Sequence, residues 1–118
     1  ATNIIELTSD ATWVNLGQIV MTREVGPTFL LATFQIDGDS AALAQVRFLR
    51  NGSDISGSFP TCTGLQGTQT SGTLSWTDRD TASGPTTYML QGRRLNSGQY
   101  TGVPRIVQRT MFAIHVKR

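Results

Sequence analysis

Apolar side chains along this chain recur at every second position or in short blocks. No segment of useful length shows the three-to-four-residue spacing of an amphipathic helix. Period two places alternate side chains on opposite faces of a strand, so the pattern reads as strand throughout. Strands are expected at Asn3–Thr8, Thr12–Leu16, Gln18–Glu24, Thr28–Ile36, Ala42–Arg50, Asp54–Ser56, Thr73–Thr77, Thr86–Leu95 and Arg109–Lys117. Turn chemistry separates them: Gly26-Pro27, Asp37-Gly38-Asp39, Asn51-Gly52, Ser83-Gly84-Pro85 and Ser97-Gly98. Asn51-Gly52 is a strong hairpin signal, because both residues tolerate positive φ. Residues 57–72 read as a long polar loop in which Phe59 and Leu65 tuck down as plugs. Short strands at this spacing indicate an all-β antiparallel sandwich or barrel.

The alternation is clean in Ala42–Arg50, where Ala44, Val46 and Phe48 share one face and Gln45 and Arg47 the other. Two strands break it. In Thr28–Ile36, Leu30, Ala32, Phe34 and Ile36 share a face, yet Phe29 and Leu31 occupy the other. The last strand has Phe112, Ile114 and Val116 on one side and Met111, Ala113 and His115 on the opposite one. A sandwich has one core, so a strand with two apolar faces needs outside cover. In a short chain without helices, another copy of the chain is the available cover.

Length bounds the picture to one domain, residues 1–118, large enough for a core without metals or disulfides. Ala1 in place of Met suggests a trimmed start or a piece of a longer protein. Charged residues are 15% of the chain, below the usual quarter, as in many extracytoplasmic and virion modules. Net charge is +2, but the last 26 positions hold Arg93, Arg94, Arg105, Arg109, Lys117 and Arg118 with no acidic residue. A solvated basic edge explains this skew, and a phosphate or acidic-glycan site is the sharper alternative. Nucleic acid is not indicated, because no basic stripe is interleaved with several aromatics. No apolar run is long enough for membrane insertion, and residues 1–25 lack a signal-peptide layout. Cys62 is the single cysteine, which excludes an intrachain disulfide and Cys-rich zinc patterns; it is either an exposed thiol or a small buried residue.

Several stretches, in order, carry a resemblance: "TWVNLGQIVMT", "FLLATFQI", "AQVRFLRNGSDIS", "GTLSWTDRD", "GPTTYMLQGR" and "TMFAIHVKR". Together they resemble the C1q/TNF-like jelly roll, in the compact form of phage structural proteins and bacterial collagen-like proteins. The resemblance implies a homotrimer, with the sheet that contains the first and last strands facing the threefold axis. It places Phe29, Leu31, Tyr88, Met111 and Ala113 near the interface, with His115 beside them. It also implies a virion or bacterial cell or spore surface. The leading expectation is a receptor-binding tip of a tail or head fibre that recognises a cell-surface glycan. The alternative is a structural trimer: a capsid decoration protein, or the head of a collagen-like protein. Its partners would then be capsid or tail proteins.

Catalytic chemistry is thin. Gly38-Asp39-Ser40-Ala41 is similar to a lipase and esterase nucleophile block, but the lone histidine, His115, has Phe112 where a terminal Asp-x-x-His pair needs its carboxylate. A turn accounts for that stretch. Asp37/Asp39 and Asp78/Asp80 are short acidic pairs without an EF-hand layout, so no metal or cofactor is assigned. The expectation is a non-enzymatic binding module. Sugars are held by an aromatic ring with planar hydrogen-bonding groups. Trp76, Asp78, Arg79, Arg93, Arg94, Tyr100 and Arg105 supply these groups in the second half. Trp13 and Trp76 are themselves expected to be core anchors.

Overall fold

The computed structural model describes residues 4–55, 61–64, 69–80 and 82–116. Among these, nine strands form two antiparallel sheets. They are β1 (Ile5–Glu6), β2 (Val14–Arg23), β3 (Thr28–Gly38), β4 (Ala42–Arg50), β5 (Ser53–Asp54), β6 (Thr61–Gly64), β7 (Thr70–Asp78), β8 (Gly84–Leu95) and β9 (Pro104–His115). One sheet runs β1-β9-β3-β7. The other runs β2-β8-β4, with β5 and β6 pairing to the free edge of β4. The first and last strands pair, Ile5 opposite Ile106. The chain crosses between sheets at nearly every connection, as sandwich topologies do.

The strand forecast holds in outline. Thr12–Leu16 and Gln18–Glu24 merge into one strand, β2, with a bulge at Leu16. The bulge takes Leu16 out of the ladder, and its carbonyl accepts the Nε–H of Arg109 from the other sheet. Strand β6 falls inside what reads as a loop, because "TCTG" has too little apolar content to show a period. Phe59 and Leu65, the expected plugs, lie outside the described residues. Cys62 is half-buried and packs against the core, which pushes its thiol pKa up through desolvation. The Asn51-Gly52 turn is as expected, with φ of 48° and 86°. The Asn51 side-chain oxygen accepts the Thr87 N–H at 2.8 Å and locks the hairpin to β8.

The core lies between the sheets. Leu30, Ala32, Phe34, Ile36, Leu74 and Ile106 come from one, and Leu16, Ala44, Val46, Phe48, Tyr88 and Leu90 from the other, with Leu7 closing the side. Strand β9 departs from simple alternation. Gln108 pairs with Gln35 but Ile106 pairs with Ile36, so Val107 is one extra residue in the ladder. One extra residue reverses the facing of everything after it. Before the bulge Ile106 points inward; after it, Arg109, Met111, Ala113 and His115 do. Phe112 and Ile114 therefore point outward, 50% and 64% exposed, with Val116 beyond them at 42%. This corrects the expected facing of the last strand. Met111 and Ala113 pack against the core opposite Ala32 and Leu30, and His115 is half-buried opposite Thr28. Tyr88 is fully buried in the sandwich, so it too is no outer-face residue. Phe29 and Leu31 lie on the outer face as expected, 45% and 38% exposed.

Gly72 shows how tightly the first sheet is filled. It pairs with Phe34, and a Cβ there would sit 2.3 Å from Phe34 Cε2 and 2.7 Å from Cζ. Phe34 is itself 3% exposed, packed in the core. Gly72→Ala is expected to cost about 1–3 kcal/mol, the usual range for overpacking, read as a lower urea midpoint with unchanged m-value. An unchanged midpoint would show that the ring has slack.

Candidate functional site

At the end of the sandwich where β3 begins, inward positions of both sheets are polar. The second sheet contributes Arg23 from β2, Arg50 from β4, and Thr86 and Tyr88 from β8. The first contributes Thr28, Asp78 and His115, which sit side by side on β3, β7 and β9. Arg23 is 4% exposed and Asp78 3%. Buried charges require partners. Asp78 Oδ2 lies 3.3 Å from Arg23 Nη1 and accepts the Tyr88 hydroxyl at 2.6 Å. Its Oδ1 accepts Arg50 Nη1 at 2.5 Å and the backbone N–H of Asp80 at 3.2 Å. Arg23 also donates Nε–H to Thr86 at 3.0 Å, and Nη1 to the Asp80 carbonyl at 2.9 Å and to the Tyr88 hydroxyl at 3.0 Å. Burial and the bond to Asp78 hold the Tyr88 phenol above its ordinary pKa, so it stays a neutral donor. Thr28 and His115 Nδ1 are 2.9 Å apart and complete the cluster on the first-sheet side.

The cluster reaches the surface through Arg50 and Asp80, whose Nε and Oδ2 are 3.3 Å apart. Here Arg50, Ile55, Trp76, Thr77, Arg79 and Asp80 line a shallow depression of about 350 Å³. Trp76 is 40% exposed at the edge of β7, and Arg79 is exposed beside it. Neither tryptophan is a core anchor as expected: Trp76 forms this wall, and half-buried Trp13 stacks on the outer face of the second sheet. The wall combines an aromatic face, two guanidinium groups and a carboxylate, which are groups that can stack on and hydrogen-bond a sugar.

The seven expected ligand residues do not form one site. Trp76, Asp78 and Arg79 come together here, although Asp78 serves the buried cluster. Arg93 stands on the outer face of the second sheet against Trp13. Arg94, Tyr100 and Arg105 are at the far end: Arg94 donates to the Thr101 carbonyl, Tyr100 bridges to Ser97, and Arg105 pairs with Asp37 at 2.9 Å. Arg50 and Asp80 are members that sequence reasoning missed. Arg50 ends β4 at an even, inward position, which the pattern shows, but its partner lies 28 residues away.

Other chemical readings meet their geometry. Ser40 and His115 lie at opposite ends of β3, roughly 30 Å apart at strand rise. Asp39 is a turn clamp: its Oδ1 accepts the Val103 N–H at 2.8 Å, which lowers its pKa. Among the described residues no group of three or more His, Cys, Asp or Glu side chains gathers as a metal would require. No helix of the described residues is long and apolar enough to cross a membrane.

No protein-family model matches the chain, and no curated protein does. Solved structures with similar folds exist. A chain from a structure of infectious bursal disease virus Gt strain is 12% identical, with a TM-score of 0.53 over 98% of this chain; the match spans 30% of the viral chain. The EclA C-terminal domain, a sugar-binding protein, is 17% identical with a TM-score of 0.48, over 95% of this chain and 79% of its own. A carbohydrate-binding module, CBM36, in complex with calcium and xylotriose is 14% identical with a TM-score of 0.44, over 97% and 90%. At such identity the viral likeness is one of fold.

Two predictions concern the cluster. Asp78→Ala leaves Arg23 buried with a weaker partner and is expected to cost about 3–5 kcal/mol. Tyr88→Phe removes one hydroxyl and is expected to cost about 1–2 kcal/mol. Chemical denaturation checks both, and equal costs would show that Asp78 is not the hub. The second concerns pH. The Ala82 N–H, then Arg50 and Arg23, hold the Asp80 carboxyl below 3.8. A carboxyl depressed on folding stabilises fully above its unfolded value and loses that contribution as pH falls through its folded one. Stability is expected to decline below about pH 4, and Asp80→Asn to flatten that limb. An identical acid limb in wild type and variant would remove Asp80 from the account.

Proposed function

We propose that this chain is a non-enzymatic module that assembles with copies of itself, as a homotrimer, on a virion surface and recognises a cell-surface glycan. One observation carries the assembly: the outer face of the first sheet is apolar in one half. There Phe29 pairs with Ile114 and Leu31 with Phe112, all pointing outward. Along the same strands the face turns polar, with Thr33 opposite Thr110 and Gln35 opposite Gln108. Ser75 and Thr77 on β7 flank the apolar half. A depression of about 640 Å³ runs between Phe29, Leu31, Trp76 and Ile114. An apolar centre bounded by polar residues is the make-up of a protein interface. Phe29, Leu31, Phe112 and Ile114 are uncharged, Arg79 is the one charged residue among those described that lines the depression, and a second copy offers a surface of matching chemistry. The threefold order and the virion setting rest on the resemblance to phage jelly rolls. The glycan rests on the aromatic and guanidinium groups that the strands hold at the surface.

Light scattering after gel filtration tests the assembly. The wild-type chain is expected to run as a trimer, and Leu31→Asp and Ile114→Asp as folded monomers. Met111→Ala, on the inner face, is expected to lower stability and leave the trimer intact. A monomeric wild type, or trimers from both aspartate variants, refutes the assembly.

A further inference from the structure

The outer face of the second sheet has a different character. Pairing of β2, β8 and β4 sets its outward side chains in rows. Asn15, Gln91 and Arg47 form one row across the three strands, and Arg93 and Gln45 form the next. Trp13 precedes β2 at the position adjoining this second row. These polar groups are bonded to one another. Gln91 Nε2 donates to Asn15 Oδ1 at 2.7 Å, and Arg47 donates Nε–H and Nη2–H to Gln91 Oε1 at 3.0 and 2.8 Å. Arg93 donates Nε–H to Gln45 Oε1 at 3.0 Å. Both guanidinium groups also stack on Trp13, at 4.1 Å for Arg47 and 4.4 Å for Arg93 from the ring centroid.

Two features mark this lattice as more than a solvated face. First, its two arginines stand on β4 and β8, the middle strands of the sheet, and each is fixed both by an amide and by an aromatic ring. Freely rotating surface arginines lose rotamer entropy on binding, whereas these have lost much of it already. Second, two like charges converge on one ring. Burial weighs most against the charged form of Arg47; Asp54 favours that form more than the neighbouring Arg93 opposes it, and the pKa still falls below the ordinary value. An anion placed between the two forks meets donors from both.

We propose that Arg47 and Arg93, with Trp13, form a binding site for the carboxylate of an acidic sugar, a uronate or a sialate, on the outer face of the second sheet. The guanidinium groups engage the carboxylate, and the indole and the Gln45 and Gln91 amides meet the ring and its hydroxyls. This inference deepens the glycan part of the proposed function and rests on it. A nucleic acid is disfavoured, because two cations beside Asp54 do not make the basic track that phosphate chains follow.

The test titrates the full chain, ¹⁵N-labelled, with tetragalacturonate, 3′-sialyllactose, neutral xylotetraose and a thymidine decamer. Saturable shifts are expected at the Trp13 indole N–H and the Arg47 and Arg93 Nε–H with one or both acidic sugars, and which one binds separates uronate from sialate. Arg93→Gln is expected to weaken Kd about tenfold or more, and Arg93→Lys nearly as much because the planar fork is lost. Thermal midpoint and oligomeric state should hold in both variants. Xylotetraose bound as tightly as the acidic sugars overturns the carboxylate site and leaves the glycan reading standing. Failure of all three sugars overturns both. A variant Kd within twofold of wild type, or preference for the decamer, overturns the site.

Discussion

A single extra residue in one ladder decides which surfaces this molecule offers. A strand alternates its side chains strictly, so an insertion of one moves every later residue to the opposite face. Val107 is that insertion in β9. With it, Met111 and Ala113 seal the core against Ala32 and Leu30. Without it, Phe112 and Ile114 would fill the core, and the outer face would show smaller and more polar groups. The bulge therefore completes the apolar pairing with Phe29 and Leu31 that no single strand could make. It also brings Arg109 inward, where it reaches the Leu16 carbonyl that the other bulge displaces from its ladder. The two irregularities, one in each sheet, answer one another across the sandwich.

Charge is distributed with similar economy. The chain is only 15% charged, and most of what the structure describes is engaged. One end is closed by Asp78 between Arg23, Arg50 and Tyr88, drawn from both sheets. The far end is tied by Arg105 to Asp37 and by Asp39 to the Val103 N–H. These pairings tie strands together at the two ends of the sandwich. Asp78 is a hub because it accepts from four donors, and removing it leaves two cations with, among the described residues, only the more exposed Asp80 as an acidic partner.

Much of this was legible in the residues. Period-two patterning yields the two-sheet class, the Asn51-Gly52 hairpin and the exposed pair Phe29 and Leu31. The doubled apolar faces of β3 and β9 signal an apolar outer face, which Phe29, Leu31, Phe112 and Ile114 form. What the pattern does not carry is the register. Nothing in "RIVQRTMFAI" marks Val107 as the bulge, so alternation alone puts Phe112 and Ile114 inside and Met111 outside. The resemblance alone places Tyr88 near an interface; it is buried, with its hydroxyl bonded to Asp78 of the other sheet. The candidate ligand residues were grouped by neighbourhood in sequence, but β7, β8, the β8–β9 connection and β9 carry them to three separate places. Trp13 reads as a core anchor from sequence because the arginines it stacks on lie 34 and 80 positions further along.

The two outer faces suit different tasks, and their separation matters. The apolar half-face lies on the first sheet and the polar lattice on the second, so assembly through one leaves the other turned outward. Three copies joined at the first sheet would present three lattices on the periphery of one rigid body. A site built from one carboxylate contact and one stacked ring is weak alone, and repetition raises its effective strength without adding a single contact. If the pair takes an anion as proposed, a carboxylate is bound in preference to a neutral ligand of the same shape, because Trp13, Gln45 and Gln91 already hold Arg47 and Arg93 in place.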